Sequence, residues 1–519
     1  MNLASIDIAI LCIYASGLVV LAQWVSRERQ GHAKDTQDYF LAGKALPWWA
    51  MPLLLPPISQ PNRLSACRVP VMPSGSPSRP NEWMAAITLI IVGKFFVPIY
   101  LKHGIYTMPQ FLRQRYDDKV CTLLAFFWLG VYIFVNLTSI LWLGALAINS
   151  MTGLGLIPGL IFLGVFSVAY SLYGGLKAVA LTDIVQVVLL VSGGLIIAWY
   201  TLDLISDGAG AVAGFQILTE RMPEKFDMIL SPDSKNYRNL PGISVLVGGM
   251  WIMNLSYWGF NQYIIQRALG AKNVREAQRG IVFAAFLKLL MPVLVVLPGM
   301  AAVILAPSLE KPDQAYPAMM NLLPPGLKGL VFAALIAAIV ASLASKINSI
   351  STIFTMDIYK KAKPAAPQHH LVKVGRITGL LAILIAIIVT KPLLGKFDQA
   401  FQYIQEFTGF FTPAVVAIFV TGIFWKRATP NSAIASAIMS VGLSTVFWRC
   451  WPALPFMDRV GIVFLCCVAA MVAVTLLERK GRQPGAIELK DIDFSTSGGF
   501  NAGGLAVTLI LVALYATWW

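Results

Sequence analysis

Charge is scarce in this sequence. Asp, Glu, Lys and Arg make up only 13% of its 519 residues, whereas hydrophobic residues make up 57%. The mean hydropathy is +0.71. A water-soluble fold of this length cannot bury so large an apolar fraction, so the composition excludes an ordinary soluble domain and requires contact with lipid.

Residues that carry redox, metal or catalytic chemistry are scarce as well. The chain has only 4 His and 6 Cys. The cysteines form no CxxC pair, and Cys12, Cys121, Cys466 and Cys467 lie in or beside apolar runs without a histidine at ligand spacing. We therefore expect no disulfide framework and no metal or redox centre. No catalytic triad, paired glycosidase acids or nucleotide site is recognisable either, so the sequence does not predict an enzyme.

What the sequence has instead is a series of apolar runs of the kind that cross a hydrocarbon core of roughly 30 Å as helices. Such runs predict an all-α polytopic membrane protein. The first run lacks a basic n-region and a cleavage site, so it predicts a retained helix rather than a signal peptide. The thirteen readable runs are Ile6–Val25, Glu82–Leu101, Cys121–Leu146, Leu154–Tyr170, Ala178–Tyr200, Ile243–Ile264, Ile281–Leu305, Leu330–Phe354, Ile377–Val389, Tyr403–Phe424, Ser432–Phe447, Gly461–Leu477 and Ala502–Trp519.

The net charge of +15 fits a membrane topology rather than a nucleic-acid partner. We place the N-terminus outside and allow one further crossing near residues 50–80, which gives about 14 transmembrane helices and two periplasmic termini. Most lysines and arginines then lie in cytoplasmic loops, as the positive-inside rule requires. Arg27, Arg29, Lys360 and Lys361 are examples.

Three ionisable residues interrupt or open the apolar runs. They are Glu82, Asp183 and Lys288. A charged group in lipid is costly, so such residues usually face a cavity or a polar partner. Glu82 and Asp183 also fit an interfacial position near a helix end, and Lys288 also fits pairing with a buried carbonyl.

Two polar clusters lie inside predicted helices. The stretch from Asn254 to Tyr263 combines amides, hydroxyls and aromatic rings with a helix-weakening Gly259, as expected of a discontinuous helix beside a polar solute. An aromatic belt at the membrane interface is the alternative.

The second cluster, from Ala338 to Asn348, is a small-residue helix face with Ser342 and Ser345. Such faces usually pack closely, but their hydroxyl and carbonyl oxygens also suit Na⁺.

Four segments of the chain resemble the sodium:solute symporter family: 170–176 (YSLYGGL), 258–267 (WGFNQYIIQR), 331–340 (VFAALIAAIV) and 401–406 (FQYIQE). The resemblance implies inverted five-helix repeats of the LeuT-like type in a bacterial inner membrane. Residues 1–35 would form an extra N-terminal helix and loop, and residues 36–430 the transport core. The repeats would span about 47–203 and 240–427, and residues 431–519 would add C-terminal helices.

The same resemblance implies roles for individual residues. The solute would contact Glu82, Asn254, Lys288 and Gln405, with Tyr257 stacking on it as the inner gate. Phe401 would close the site from outside.

The resemblance also implies an ion site. Na⁺, as coupling ion, would bind the carbonyl of Ala338 and the hydroxyl of Ser342, with Asp183 as a way station. Two departures from the family pattern are Ala341 and Ala85, which stand where the family has an ion-binding and a sugar-binding serine.

Residues 56–80 break the family pattern. Seven prolines and three arginines in 25 residues remove helix hydrogen bonds and put charge where a transmembrane helix is expected. If each codon is read with the last base of the one before it, synonymous codons exist that turn the stretch into AANLAAEQIIGMSGSGYAIGLAIAS. That peptide resembles the first broken helix of the family, so we expect a pair of compensating frameshifts. Ile58, Ser59 and Arg63 then occupy positions of ion and sugar contacts.

Three functions are consistent with the sequence. The leading one is a sodium-coupled symporter that imports a monosaccharide of the galactose or glucose kind by alternating access. The second is a sodium symporter of another small polar solute such as a polyol, amino acid, nucleoside or sialic acid. The third is a transport-inactive product or sensor. The expected partners are the solute, the sodium ion and the lipid bilayer, and no obligate protein partner is evident.

Overall fold

The computed structural model of the chain describes residues 3–26, 35–50, 79–227, 229, 242–307, 315–395 and 407–518. In these residues the regular structure is helical, apart from one isolated bridge between Leu46 and Ala271. The helices are α1 Ser5–Ser26, α2 Thr36–Leu41, α3 Arg79–Ile91 (continued by Val92–Phe96 and Val97–Lys102), α4 Met108–Arg115, α5 Asp118–Thr152, α6 Leu156–Ile205, α7 Ala211–Arg221, α8 Gly242–Gly259, α9 Gln262–Leu269, α10 Val274–Leu305, α11 Ala315–Asn321, α12 Leu327–Ala362, α13 Gln368–Leu394, α14 Thr412–Phe424, α15 Pro430–Cys450, α16 Phe456–Glu478 and α17 Gly498–Thr517.

The predicted all-helical membrane fold is confirmed. In the described part of the chain, 11 helices are long and apolar enough to cross a membrane, or 12 if the bent pair α8 and α9 counts as one span. Helix α6 also contains a shorter apolar segment, Leu156–Ala169, ahead of its span Val179–Ile205. The count of fourteen stays a prediction. The further crossing expected near residues 50–80 falls largely on residues 51–78, which lie outside the described residues.

Helix α12 occupies the centre of the bundle. In its most apolar window 94% of the residues are buried, against 22% in α15 and in α17, which face lipid. It packs most extensively against α6, and also against α1, α13 and α5. Its many alanines and serines allow the neighbouring backbones to approach closely, since small side chains make the packing surface of membrane helices.

Helix α6 is broken at Gly175, where φ is +62° and ψ is −157°. A Cβ at this position would lie 2.5 Å from the carbonyl oxygen of Tyr39 in α2. Both the positive φ and the close approach require glycine. Gly175, in segment 170–176, therefore has a structural reason, because it lets one long helix turn between two spans.

The N-terminal helix is fastened to the central helix by Asp7. Its Oδ1 accepts hydrogen bonds from the backbone amides of Gly326 at 2.7 Å and Gly329 at 2.8 Å, at the start of α12. Its Oδ2 accepts from the amide of Ala4 at 2.9 Å. A carboxylate in this position satisfies amides that have no partner within the helix and complements the helix dipole.

One arginine of the basic loops is structural. Arg115 is the last residue of α4, and its side chain is buried. Its Nη2 donates to the carbonyls of Trp425 at 2.9 Å and Ala428 at 3.2 Å. It therefore ties α4 to the turn that follows α14, in addition to any effect on topology.

Candidate functional site

The candidate site begins at the break between α8 and α9, whose axes differ by 47°. A break exposes backbone carbonyls that need new partners inside a membrane. The hydroxyl of Tyr100 donates to the carbonyl of Gly259 at 3.1 Å. The hydroxyl of Tyr132 donates to Oδ1 of Asn261, the N-cap residue of α9. Side chains of α3 and α5 thus hold the break in place, and the sequence prediction of a discontinuous helix around Gly259 agrees with this geometry.

Three predicted solute contacts meet around Trp258, and we call Asn254, Tyr257, Trp258 and Lys288 the tryptophan cluster. The indole Nε1 of Trp258 donates to Oδ1 of Asn254 at 3.2 Å. The Nζ of Lys288 lies 5.3 Å from the centroid of the indole ring. The rings of Tyr257 and Trp258 meet edge to face with centroids 5.1 Å apart. The cluster places an amide, an ammonium group and an aromatic ring side by side.

The tryptophan cluster continues into the protein through a pair of tyrosines. The hydroxyl of Tyr263 in α9 donates to the hydroxyl of Tyr257. The ring of Tyr263 in turn contacts the Nζ of Lys346 in α12, 3.5 Å from the ring centroid. Tyr257 is half-buried, whereas Tyr263 and Lys346 are buried. The predicted inner gate is therefore linked by direct contacts to the central helix.

The two predicted sodium ligands on α12 lie one helical turn apart. The hydroxyl of Ser342 donates to the carbonyl of Ala338 at 2.8 Å, and both residues are buried. A cation placed between these oxygens would accept lone pairs from both, once the hydroxyl proton turned away. Two oxygens would supply only part of a coordination shell, so a sodium ion at this position would need further oxygens from another element.

Asp183, predicted as a way station for the ion, is joined to α9 and α12. Its Oδ2 lies 3.0 Å from Nη2 of Arg267, with both side chains buried. The same nitrogen donates to the hydroxyl of Ser345, three residues after Ser342. The carboxylate is therefore linked through Arg267 to Ser345 of α12, and its charge is balanced by an arginine that the sequence alone did not indicate.

A glutamine completes the contact between α9 and α12. Gln266 donates through Nε2 to the carbonyl of Phe40 at 2.8 Å and to the hydroxyl of Thr352 at 2.9 Å. Its Oε1 accepts from the hydroxyl of Ser349 at 3.0 Å. Every polar atom of this buried side chain forms a hydrogen bond. These bonds hold the short helix α9 against the C-terminal half of α12.

Other predicted residues cannot be placed at the site. Phe401 and Gln405 lie outside the described residues. The backbone of Glu82 belongs to the first turns of α3, and its side chain lies outside what the structure describes. Conversely, the sequence reading missed Arg267 and Lys346. For Lys346 the available signal was a charged residue inside the predicted span Leu330–Phe354, whereas Arg267 became informative only through its distance to Asp183.

Comparison with known proteins gives consistent results at the level of family and fold. Residues 39–440 match the model of the sodium:solute symporter family. A sodium/glucose cotransporter of Vibrio parahaemolyticus is 44% identical over 543 aligned residues, covering 100% of this chain and 99% of the relative. Sodium/myo-inositol cotransporter 2 of Sus scrofa is 31% identical over 483 residues, covering 85% of this chain and 69% of the relative.

The solved structure of a Na⁺-coupled sialic acid symporter in a substrate-bound outward-open state superposes with a TM-score of 0.79. It is 22% identical in sequence, and the match covers 91% of this chain and 98% of that one. At this identity the likeness shows the fold alone.

Proposed function

Since the chain belongs to the sodium:solute symporter family, we propose that it is built to import a monosaccharide together with Na⁺ by alternating access. Family membership makes it a multi-pass membrane transporter rather than an enzyme, with Na⁺ as the coupling ion. The choice of a monosaccharide and the assignment of site residues are the new parts of the proposal.

The observation that carries the proposal is the tryptophan cluster beside a broken helix. Asn254 and Lys288 both contact Trp258, and Tyr257 lies against the same ring. A sugar presents hydroxyl groups that need donors and acceptors, and it presents a C–H face that packs on an aromatic ring. An amide, an ammonium group and a tyrosine within one cluster supply all three. Gln405, Glu82 and Phe401 would complete the site from segments whose side chains are not described.

The ion would bind on α12. We assign it to the carbonyl of Ala338 and the hydroxyl of Ser342, whose oxygens are 2.8 Å apart. The remaining oxygens would come from the first broken helix, which the family resemblance places in residues 56–80. Sodium then joins two elements that move relative to each other, so its binding favours one conformation and its release weakens the hold on the solute.

The written sequence of residues 56–80 has a direct consequence for this scheme. Ile58, Ser59 and Arg63 stand where the shifted reading frame gives Asn, Leu and Gln. The ion and the sugar would each lose part of their contacts. We therefore infer that the chain as written does not couple Na⁺ to uptake, whereas a chain with the shifted-frame peptide does. Sequencing the gene across the codons for residues 45–85 would find compensating single-base changes at both ends of the stretch.

The solute assignment is tested by direct binding to the purified full-length protein carrying the shifted-frame peptide. Radiolabelled galactose, glucose, myo-inositol and sialic acid are compared, with and without Na⁺. Replacing Lys288→Ala or Gln405→Ala should abolish binding of the hexoses. Lys272→Ala and Gln216→Ala change exposed residues of the same types and serve as controls. Binding of another solute with unchanged affinity in the Lys288→Ala and Gln405→Ala proteins would overturn the assignment.

A further inference from the structure

The first residue of α9, Gln262, is bound to the turn that precedes α4. Its Oε1 accepts a hydrogen bond from the backbone amide of Met108 at 2.7 Å, and its Nε2 donates to the carbonyl of Tyr106 at 3.1 Å. The side chain of Gln262 is fully buried. Both the oxygen and the nitrogen of the amide group are thus used, as expected of a buried polar side chain. The start of α9 is therefore attached to residues 106–108.

The residue between these two contacts, Thr107, is bound to the central helix. Its hydroxyl donates to Oδ1 of Asp357 at 3.0 Å, and both side chains are fully buried. The same hydroxyl caps α4 by accepting from the amide of Gln110 at 3.1 Å. Asp357 lies in the π-helical turn Phe354–Tyr359 of α12. Such turns within long helices are frequently found at functional positions.

These contacts form a continuous path from α9 to α12, and we call Gln262, residues 106–108 and Asp357 the clasp. Helix α9 begins at the helix break beside the tryptophan cluster, and α12 carries the oxygens assigned to Na⁺. One turn further along α9, Gln266 contacts α12 directly. The clasp therefore holds the end of α9 that lies next to the break, whereas Gln266 holds the following turn.

The acidic residue of the clasp is only partly satisfied. The second carboxyl oxygen of Asp357, Oδ2, is buried and has no hydrogen-bond partner among the residues that the structure describes. A buried polar atom without a partner is uncommon and costs free energy. Such a contact is less stable than a fully paired one. Moderate stability suits an element that opens and closes, because moving parts of proteins come from their less stable regions.

We propose that the clasp couples the broken helix to the central helix, so that Gln262 and Asp357 are positioning residues of the transport cycle. While the clasp is closed, the start of α9 stays against α12. When it opens, α9 moves away from α12 at the end that the basic loops place in the cytoplasm. This rests on the alternating access of the proposed function, and it names a contact that has to open before release on the inner side.

The test measures how often α9 separates from α12 in the full-length chain as written, purified in detergent with choline chloride. The buried residue Ala268, in the last turn of α9, is replaced by cysteine in a protein whose native cysteines are changed to serine. A water-soluble maleimide labels this thiol only when α9 is exposed. Gln262→Ala and Asp357→Ala each break the clasp at one end. Each should raise the labelling rate about fivefold, as expected for the loss of one ordinary hydrogen bond.

Further variants distinguish the clasp from general loosening. The double substitution Gln262→Ala with Asp357→Ala should label no faster than either single variant, because the path is already broken. Asp357→Asn keeps an oxygen acceptor for Thr107 and should label at the rate of the unaltered protein. Gln216→Ala, which changes an exposed glutamine, should do the same. A cysteine at the buried position Ser444 in α15 should label equally slowly in every variant.

Unchanged labelling of position 268 in either single variant would overturn the proposal. Equal acceleration at position 444, effects that multiply in the double variant, or an asparagine variant as fast as Asp357→Ala would also contradict it. If the Gln262→Ala protein does not elute as a single symmetric peak, Gln262→Met, which keeps the side-chain volume, takes its place. The labelling contains neither Na⁺ nor solute, so a wrong solute or ion assignment leaves it unchanged and appears only in the binding panel.

Discussion

The Nη2 atom of Arg267 lies 3.0 Å from Oδ2 of Asp183, and this pair joins the bent helix α9 to the second span of α6. Because the same nitrogen donates to Ser345, the contact also reaches the central helix α12. Three elements around the proposed ion site thus depend on one guanidinium group. In the membrane interior, a charge that loses its partner is expensive to keep.

Removing one partner of this ion pair should destabilise the protein strongly. Asp183→Asn leaves the buried Arg267 without its carboxylate, which should lower the stability by about 3–5 kcal/mol. The double substitution Asp183→Asn with Arg267→Gln should recover part of that loss, because neither charge then remains. Melting temperatures of the purified proteins measure both effects. Losses that simply add in the double variant would show that the pair is not coupled.

The carboxylate of Asp7, in the first turn of α1, should contribute measurably to the stability of the protein. Asp7→Ala removes the acceptor for the amides of Gly326 and Gly329 and should cost about 1–2 kcal/mol, as the loss of an acceptor at a helix N-terminus usually does. Asp7→Asn keeps one oxygen acceptor and should cost less. Thermal unfolding in detergent ranks the stability of the unaltered protein and the two variants. An alanine variant as stable as the aspartate protein would contradict the role assigned to this residue.

The break in α6 should depend on glycine at position 175. Gly175→Ala places a Cβ 2.5 Å from the carbonyl oxygen of Tyr39 and also strains a backbone with φ of +62°. We expect a marked fall in the yield of folded protein, read by size-exclusion chromatography from membranes expressing equal amounts of chain. Gly442→Ala in α15, where a Cβ meets nothing within 4 Å, is the control and should behave as the unaltered protein.

Much of the fold could be predicted from the sequence, because apolar runs report directly on the lipid that surrounds a helix. The predicted span Ile6–Val25 corresponds to α1, Ser5–Ser26, and Gly461–Leu477 lies within α16, Phe456–Glu478. The break near Gly259 was also predictable, since a glycine and several polar side chains weaken a helix locally. Hydropathy fails where the partner of a residue is far away in sequence. Arg267 and Asp183, and likewise Asp7 and Gly329, meet only after the helices have packed.

The candidate site, like the fold, was predicted from the sequence only in part. Asn254, Tyr257 and Lys288 were predicted from residue type and family resemblance, and the structure brings them to one indole ring. Trp258, which connects them, was not predicted as a site residue, because a tryptophan in an apolar run fits core packing equally well. Lys346 was overlooked since the serines around it fitted a close-packed helix face. The structure shows that its ammonium group lies over the ring of Tyr263 in α9, a contact that the sequence does not reveal.

We propose that this sodium symporter depends on residues 56–80 to couple Na⁺ to solute uptake. The most direct test reconstitutes two proteins into vesicles, the chain as written and a chain with AANLAAEQIIGMSGSGYAIGLAIAS at these positions. Uptake of radiolabelled galactose is measured with an inward Na⁺ gradient and with choline in its place. We predict sodium-dependent accumulation only in the second protein. Robust sodium-driven uptake of galactose by the chain as written, or no galactose uptake by either protein, would contradict this proposal.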